Sequence, residues 1–399
     1  MIDDRDFREK SVAITGIGLS AISRGASESP LALTLDACHK AIADAGLSLR
    51  DIDGISSHPG GVHDESGTSP VGVPVLQDAL RLDLRWYSGG GETPGQLGAV
   101  FNAIAAICAG YCRNVLVFRT VYEATARKQA AHPNRLFKAG SRARGPIAEW
   151  APFRVYVPAT VQAIYLQKYV HDRGIRPEQV GALVVNTRRN AGLNPDAVYR
   201  DPLTMEDYLA SPIISTPLRR HDCDVPVDGA VAFVLSRRDV ARDLRNPLLA
   251  IEAVGSASAG RNSWSQLRIP RFDAFHAAAR MMWSRTDLKP RDLDVAELYD
   301  GFSYYTLACL EALGLCGEGE AASFVERPEN IGLDGALPLN TGGGQLSAGR
   351  LHGYGLLHEA CIQAWGRGGA RQVAKDVRNA VVCTSGGPLA GSLLLVREP

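Results

Sequence analysis

The chain has 399 residues, of which 45% are apolar and 22% are charged. This length accommodates two or three domains or one large duplicated one, and the composition is that of a globular enzyme rather than a disordered chain. Lys plus Arg and Asp plus Glu balance at 43 each, so there is no net field to favour nucleic acid or an anionic membrane.

The N-terminus is charged and lacks the apolar centre of a signal peptide. No run approaches the roughly 18 apolar residues that a membrane-spanning helix requires. We therefore expect a cytoplasmic protein. The eight cysteines show no CxxC pairs, which predicts reduced thiols and neither a disulfide framework nor a metal site.

Four landmarks occur in order along the first part of the chain and again in the second part. The first set is an apolar strand at 11–18, a segment at 51–57, a glycine-rich turn at 88–91 and a strand at 113–118. Their counterparts lie at 250–257, 292–299, 341–344 and 378–383. Four matches in the same order indicate an internal duplication.

Each copy alternates short apolar strands with longer helices, which predicts an α/β protein with parallel strands and helices on their faces. We place the N-terminal half at residues 1–245 and the C-terminal half at 246–399. Residues of about 120–220 have no counterpart in the second half, and we interpret them as a loop-domain insertion.

The insertion begins with a basic stretch that contains no acidic residue between 125 and 148. One interpretation is a solvated surface segment. The other is an electrostatic docking surface for a phosphate-bearing ligand such as CoA, or for a partner protein. The predicted CoA-binding residues are Arg127, Lys128, Arg142 and Arg144.

A second glycine-rich loop, at 339–355, is longer than the first and also carries Asn340, Arg350, His352 and Tyr354. So many glycines beside polar groups indicate close approach of the backbone to a ligand or to another segment. We predict that the backbone N–H groups of this loop, including Gly343 and Gly344, hold an oxyanion.

Three stretches carry a family resemblance: His221 to Ala232, Glu297 to Phe302 with 310–316, and the loop 340–355. The chain resembles the thiolase superfamily, specifically its sterol-carrier-type thiolase and lipid-transfer branch. The resemblance implies the thiolase fold, in which two βαβαβαββ halves form five αβαβα layers. This agrees with the duplication.

The departures from that family concern its catalytic groups. By the resemblance, Thr93 stands where a working thiolase has its nucleophilic cysteine, and no cysteine lies between 39 and 107. Tyr299 replaces the oxyanion-hole histidine, and Arg350 replaces the histidine that activates the nucleophile. Only Cys383 remains as a counterpart of the family's acid/base cysteine, so covalent acyl transfer of the thiolase type is not expected.

Tyrosines take the place of the lost groups, as in the steroid side-chain-cleaving aldolases of this branch. That resemblance implies retro-aldol cleavage of a β-hydroxyacyl-CoA, which needs a base, an acid and enolate stabilisation but no nucleophile. We assign one of Tyr304 and Tyr299 to proton abstraction and Tyr354 to enolate protonation, or the reverse, with Arg350 and His352 in support. Neighbouring helical positions point about 100° apart, so at most one of Tyr304 and Tyr305 is expected to enter the site.

Two alternatives stay open: a non-catalytic lipid or acyl-CoA carrier or scaffold, and a divergent acyltransferase that uses Cys383. No cofactor is expected beyond the CoA of the substrate. The resemblance further implies a homodimer that binds a small OB-fold/zinc-ribbon protein associated with a hydratase.

Overall fold

The computed structural model describes residues 7–58, 67–89, 96–130, 152–153, 158–259 and 271–398. The strands are β1 Val12–Leu19, β2 Gly54–Ser57, β3 Trp86–Gly89, β4 Asn114–Tyr122, β5 Ile213–Ser215, β6 Leu218–Arg219, β7 Asp228–Arg237, β8 Leu249–Ser258, β9 Val295–Leu298, β10 Asn379–Gly386 and β11 Leu389–Arg397. The α-helices are α1 Pro30–Asp44, α2 Val73–Leu80, α3 Gly98–Cys108, α4 Glu123–Ala130, α5 Pro158–Arg173, α6 Pro177–Gly192, α7 Met205–Ala210, α8 Arg238–Ala241, α9 Asp273–Trp283, α10 Ser303–Ala312, α11 Ala321–Val325, α12 Pro328–Ile331 and α13 Tyr354–Ala364. None of the helices within these ranges is long and apolar enough to span a membrane.

Nine strands follow one another in the order β3-β2-β4-β7-β1-β8-β11-β10-β9. β2 is parallel to β3 and β4, and β9 is parallel to β10, whereas β7 and β11 are antiparallel to their neighbours and β1 is antiparallel to β8. The prediction of parallel strands is therefore correct only for the outer strands of the sheet. At the centre, β1 and β8 pair only through Ala13 with Ala250 and Ile14 with Leu249. The strands of the two landmark sets lie on opposite sides of this short junction.

Each copy contains an equivalent side-chain clamp, in which an aspartate binds two backbone N–H groups. Asp53 accepts hydrogen bonds from the backbone N–H groups of Arg113 and Asn114 at 2.9 Å. In the second copy, Asp294 accepts from Arg378 and Asn379 at the same distance. The Asn114 and Asn379 side chains then donate to the carbonyls of Asp51 and Asp292. Equivalent contacts at matching positions confirm the duplication.

Helices cover both faces of the N-terminal strands because apolar side chains alternate along them. In β4, Leu116 and Phe118 join the cluster under α1 and α2, while Val115 and Val117 join the cluster under α3. α1 and α9 contact strands of their own half, and α13 contacts strands of both halves. This arrangement agrees with the layered thiolase fold that the sequence predicted.

Glycine allows each outer helix to approach its strand closely. A Cβ atom on Gly16 of β1 would lie 2.2 Å from the Ala41 carbonyl oxygen of α1. A Cβ atom on Gly255 of β8 would lie 2.0 Å from the Ala278 carbonyl oxygen of α9. The two positions are equivalent in the duplicated halves, so the tight helix–strand contact is also duplicated.

The segment between β4 and β7 contains α4 to α7 and the β5–β6 hairpin, and the predicted half boundary at 245 falls between α8 and β8. α6 packs against the second glycine-rich loop. Asn190 of α6 donates to the Leu339 carbonyl at 3.1 Å, and Asn194 donates to the Gly342 carbonyl at 2.8 Å. The insertion therefore fixes the backbone of this loop.

Candidate active site

The three stretches that carry the family resemblance lie in contact. Cys223 forms a backbone bridge with Phe302, and the Val225 N–H donates to the Gln345 carbonyl at 3.0 Å. The Arg350 N–H donates in turn to the Val225 carbonyl at 2.8 Å. The residues around Val225 thus join the segment after β9 to the second glycine-rich loop, and this junction is the candidate site.

Within the loop, Asn340 adopts a left-handed backbone with φ 45°. Its side chain accepts from the Leu298 N–H at 2.7 Å and donates to the Leu298 carbonyl at 2.9 Å. The Asn340 side-chain amide therefore satisfies both backbone groups of Leu298, the last residue of β9, as a neighbouring strand would. Its side chain is engaged with backbone, and the predicted supporting role at the site stays a prediction.

Gly343 and Gly344 both have positive φ angles, 97° and 53°. The Gly343 N–H donates to the Asn340 carbonyl at 2.9 Å, so it is engaged inside the loop rather than presented to a ligand as predicted. A Cβ atom on Gly343 would lie 2.4 Å from the Ala191 side chain, and one on Gly344 would lie 2.0 Å from an Asp300 oxygen. Both glycines are needed for close packing.

Asp300, which sequence reasoning passed over, holds the turn that follows these glycines. Its carboxylate accepts from the Gln345 N–H at 2.9 Å and from the Leu346 N–H at 3.3 Å. Burial raises the pKa of Asp300 to about 6, although these amide donors oppose the shift. The aspartate of the Tyr-Asp-Gly-Phe motif therefore accepts hydrogen bonds from backbone N–H groups of the loop. Both the motif and the loop carry the family resemblance, so the sequence could have suggested that they lie together.

Tyr304 and Tyr305, at the start of α10, are fully buried and stack with ring centroids 4.6 Å apart. Both hydroxyls donate to Oε1 of Gln162 in α5, that of Tyr305 at 2.8 Å. The expected divergence of these two side chains is wrong, because each buried hydroxyl requires an acceptor and both turn to the same amide. Burial raises the pKa of both phenols, so both are protonated donors at neutral pH.

The other two predicted tyrosines lie in different surroundings. Tyr299 is 5% exposed, and its ring lies 6.3 Å from that of Tyr305. Tyr354 begins α13, is fully buried and packs its ring 6.2 Å from Phe233 of β7. Tyr299 thus joins the aromatic cluster of the C-terminal half, whereas Tyr354 faces the N-terminal half.

A charged cluster surrounds His352, two residues before Tyr354. Nη2 of Arg119, a fully buried residue of β4, lies 2.6 Å from Nδ1 of His352. Glu123 pairs with Arg350 and lies 3.8 Å from Nε2 of His352, and Arg350 also pairs with Asp224 at 3.4 Å. Burial, followed by the nearby arginines, lowers the pKa of His352 well below its usual value.

The Cys383 sulfur lies 3.5 Å from the Cys309 sulfur and 3.2 Å from the Ser385 hydroxyl oxygen. The hydrogen bond with Cys309 lowers the pKa of Cys383, and burial raises the pKa of Cys309. All eight cysteines are free thiols.

The predicted residues Thr93, Arg142 and Arg144 lie outside the described residues.

A cavity of about 610 Å³ opens beside the charged cluster. Its lining includes Arg24, Arg127 and Arg220 from the N-terminal half, and Phe302 and Arg350 from the C-terminal half. The Lys128 ammonium donates to the Arg24 carbonyl at 2.6 Å and so supports the cavity wall from an exposed position. Four arginines therefore line this cavity together with Asp224, and two of them, Arg127 and Arg350, are paired with Glu123.

Beneath the glycine-rich loop, two buried carboxyl groups share one hydroxyl. Thr341 Oγ1 lies 2.8 Å from Glu297 and 3.0 Å from Glu359, and Arg371 forms an ion pair with Glu359 at 3.0 Å. Burial and the neighbouring Glu359 charge raise the pKa of Glu297 well above its usual value. Sequence reasoning missed this pair, although Glu297 opens one of the stretches that carry the resemblance. Among the described residues, no three His, Cys, Asp or Glu side chains are grouped so as to hold a metal ion.

The duplicated fold, with tyrosines around the C-terminal loop, defines a thiolase-fold protein, and residues 255–398 match the family described as thiolase C-terminal domain-like. The chain is 32% identical over 391 residues to the 17-hydroxy-3-oxo-4-pregnene-20-carboxyl-CoA lyase of Mycobacterium tuberculosis, covering 96% of this chain and 98% of the lyase. It is 30% identical over 392 residues to the steroid side-chain-cleaving aldolase of Thermomonospora curvata, covering 96% and 97%.

The chain therefore belongs to the thiolase-like family of steroid side-chain-cleaving aldolases. The solved structure of the Ltp2-ChsH2(DUF35) aldolase superposes with a TM-score of 0.83 at 28% identity, over 97% of this chain and 98% of that chain. An acetyl-CoA acetyltransferase from Syntrophomonas wolfei shares the fold alone, with a TM-score of 0.69 at 17% identity over 97% and 99% of the two chains.

Proposed function

We propose that this chain is a carbon–carbon lyase that cleaves a 17-hydroxysteroid side-chain CoA thioester to a 17-ketosteroid and propionyl-CoA. The observation that carries the proposal is its similarity, over nearly the whole length of each chain, to a lyase and an aldolase whose names specify this type of reaction. The threonine at position 93, where the resemblance places the thiolase nucleophile, agrees with the proposed lyase function, because retro-aldol cleavage needs no covalent intermediate.

In the proposed reaction, a base removes the proton of the β-hydroxyl, and its oxygen electrons form the ketone. The bond between the α- and β-carbons breaks, and its electron pair becomes the thioester enolate. An acid then protonates the α-carbon to complete propionyl-CoA. Tyr304, whose raised pKa keeps it protonated at neutral pH, is the proposed acid, and Tyr354, four residues after Arg350, is the proposed base. Tyr299 remains the alternative base.

CoA enters as part of the substrate, and the proposal assigns no further cofactor because the reaction consists of two proton transfers and a carbon–carbon cleavage without net oxidation or reduction. The arginine-lined cavity is the proposed docking site for the CoA phosphates, and it includes the predicted Arg127. Arg24 and Arg220 extend the same cationic wall, and the guanidinium groups suit phosphate oxygens. Lys128 contributes through its contact with the Arg24 carbonyl.

We also propose a homodimer that binds an OB-fold/zinc-ribbon partner. Strand β3 stands at the edge of the sheet, and Tyr87 of this strand and the nearby Tyr111 are 69% and 62% exposed, as an interface would require. The similarity to the Ltp2-ChsH2(DUF35) aldolase supports a protein partner.

The test is to incubate the purified chain with a 17-hydroxysteroid propionyl-type CoA thioester, with and without a candidate partner, and to identify products by mass spectrometry. A 17-ketosteroid with propionyl-CoA is the expected result. Intact substrate in both mixtures, despite binding detected by calorimetry, would instead favour the carrier or scaffold alternative.

The acyltransferase alternative rests on Cys383 as the counterpart of the family's acid/base cysteine, and its hydrogen bond with Cys309 lowers the pKa of this thiol. It is tested by exchange of labelled CoA into an acyl-CoA thioester. Exchange by the native chain that disappears in Cys383→Ala would favour this alternative. We expect no exchange, because Cys383 is buried and its hydrogen bonds within the described part of the chain are with Cys309, Ser385 and Ser392.

A further inference from the structure

The contact between Arg119 and His352 defines the protonation of the histidine ring. A guanidinium has only N–H donors and no acceptor at neutral pH. Since Nη2 of Arg119 lies 2.6 Å from Nδ1 of His352, Nδ1 must accept this hydrogen bond. A neutral imidazole carries its single proton on the other nitrogen, so the geometry selects the Nε2–H tautomer.

The charges around the ring keep it neutral. Arg119 approaches from β4, Arg350 from the same loop, and His58 from the residue after β2, with its ring centroid 6.1 Å away. Glu123 of α4 is the acidic neighbour, and its charge is already shared by Arg350 and by Arg127 at 3.7 Å. With Arg119 and Arg350 nearby, the His58 ring beside them and burial around the imidazole, a second proton on His352 is disfavoured.

The position of His352 places this donor where the two halves meet. His352 has a left-handed backbone with φ 50°, and it leads into Gly353. A Cβ atom on Gly353 would lie 2.6 Å from Thr384 of β10 and 3.7 Å from Gln96, which precedes α3. Glu123 lies 3.8 Å from Nε2, beyond hydrogen-bond distance, so the Nε2–H is not donated to this carboxylate.

We propose that Arg119 is a positioning residue that fixes His352 as a neutral Nε2–H donor to the thioester oxygen of the substrate. Neither ring nitrogen is then a base: Nδ1 is occupied by Arg119, and Nε2 carries the proton. Proton abstraction belongs to a phenol, and His352 stabilises the enolate as it forms. The donor role rests on the proposed retro-aldol function, whereas the tautomer does not.

The first experiment measures the tautomer directly, in the full-length protein with its histidines labelled with 15N. Two-bond 15N–1H correlation spectra distinguish Nε2–H, Nδ1–H and imidazolium forms, and His352→Asn assigns the His352 signals. We expect the Nε2–H form at pH 7, and in Arg119→Met a ring that gains its second proton at higher pH than in the native chain. An Nδ1–H or imidazolium form at pH 7 in the native chain would overturn the proposal.

The second experiment measures cleavage by position-352 variants. Asn tolerates the left-handed backbone and keeps an acceptor for Arg119 but has no donor at the Nε2 position, so kcat should fall about 10²–10³-fold in His352→Asn. Gln places an amide N–H near the Nε2 position, so His352→Gln should retain activity within about tenfold of the native chain. Equal and near-native turnover in both variants would rule out the donor role.

Arg119→Lys provides a matched test of the positioning role, because an ammonium group also donates to Nδ1. It should restore the native tautomer and most of the turnover that Arg119→Met loses. If the native chain cleaves no steroid thioester, the proposed function fails, yet the tautomer measurement still decides whether Arg119 fixes the ring.

Discussion

The two halves of the chain use the same backbone clamp but carry different groups at the ends of their strands. Asp53 in the N-terminal half and Asp294 in the C-terminal half each accept two neighbouring backbone N–H groups. The N-terminal half adds arginines around a cavity, whereas the C-terminal half adds buried tyrosines and a pair of carboxyl groups. The comparison separates a shared scaffold from the two roles proposed for the halves, binding in the first and proton transfer in the second.

The largest expected effect concerns the tyrosines of the C-terminal half. Tyr304→Phe removes the proposed acid and should lower kcat about 10²–10⁴-fold in the steroid thioester assay. Tyr169→Phe is the matched control, since this buried ring packs 6.1 Å from Tyr304, and its loss should be only a few-fold. If Tyr304→Phe, Tyr299→Phe and Tyr354→Phe all keep near-normal turnover, the tyrosine mechanism is wrong.

The shared clamp should have the same energetic value in both halves. Asp53→Ala and Asp294→Ala each leave two backbone N–H groups without their carboxylate, and each should lower the free energy of unfolding by about 1–3 kcal/mol. Urea titration measures both variants. A loss confined to one of them would show that the two clamps are not energetically equivalent.

The binding role of the N-terminal half predicts an effect on KM rather than on kcat. Arg127→Gln removes one cation from the cavity wall and should raise KM for the CoA thioester about fivefold, a change of about 1 kcal/mol. Lys128→Gln, which alters the exposed neighbour, should have a smaller effect. An unchanged KM in Arg127→Gln, at low and at high salt, would place the CoA phosphates elsewhere.

The smallest effect is a pH dependence of stability in the C-terminal half. The pKa of Glu297 is raised in the folded state, so above its unfolded value of 4.5 the unfolded chain ionises more readily, and stability is lost as pH rises. Glu297→Gln removes this loss, and its Tm at pH 8 should exceed that of the native chain by about 2–4 °C, with a smaller difference at pH 5.

Glu359→Gln serves as the control, because it breaks the ion pair with Arg371 and should lower Tm at both pH values. A lower Tm for Glu297→Gln at pH 8 would mean that Glu297 is ionised in the folded protein.

Much of the fold could be predicted because the duplication is recognisable from short stretches of sequence. The strands at 11–18 and 250–257 and the Asp51 and Asp292 segments follow from apolar runs and turn residues that neighbour one another in the chain. The structure confirms them as equivalent elements joined by β1 and β8. The resemblance then added the stretches that meet at Val225.

The contacts of the candidate site could not be predicted in the same way. Tyr304 and Gln162 are 142 positions apart, and Arg119 and His352 are 233 apart. No periodicity links such residues, and nothing in the residues around Arg119 distinguishes it from a surface arginine. The divergence expected of Tyr304 and Tyr305 failed because helix geometry fixes their Cα–Cβ directions, whereas the shared acceptor fixes their hydroxyls.

The sequence by itself determined that the protein is a duplicated α/β chain without a thiolase nucleophile, since both properties depend on which residue types follow one another. Only the tertiary structure decided how its ionisable groups are protonated. The neutral His352, the protonated phenols and the raised pKa of Glu297 all result from burial and from partners contributed by distant segments. Protonation depends on the local dielectric and on nearby charges, and the folded chain alone brings these together.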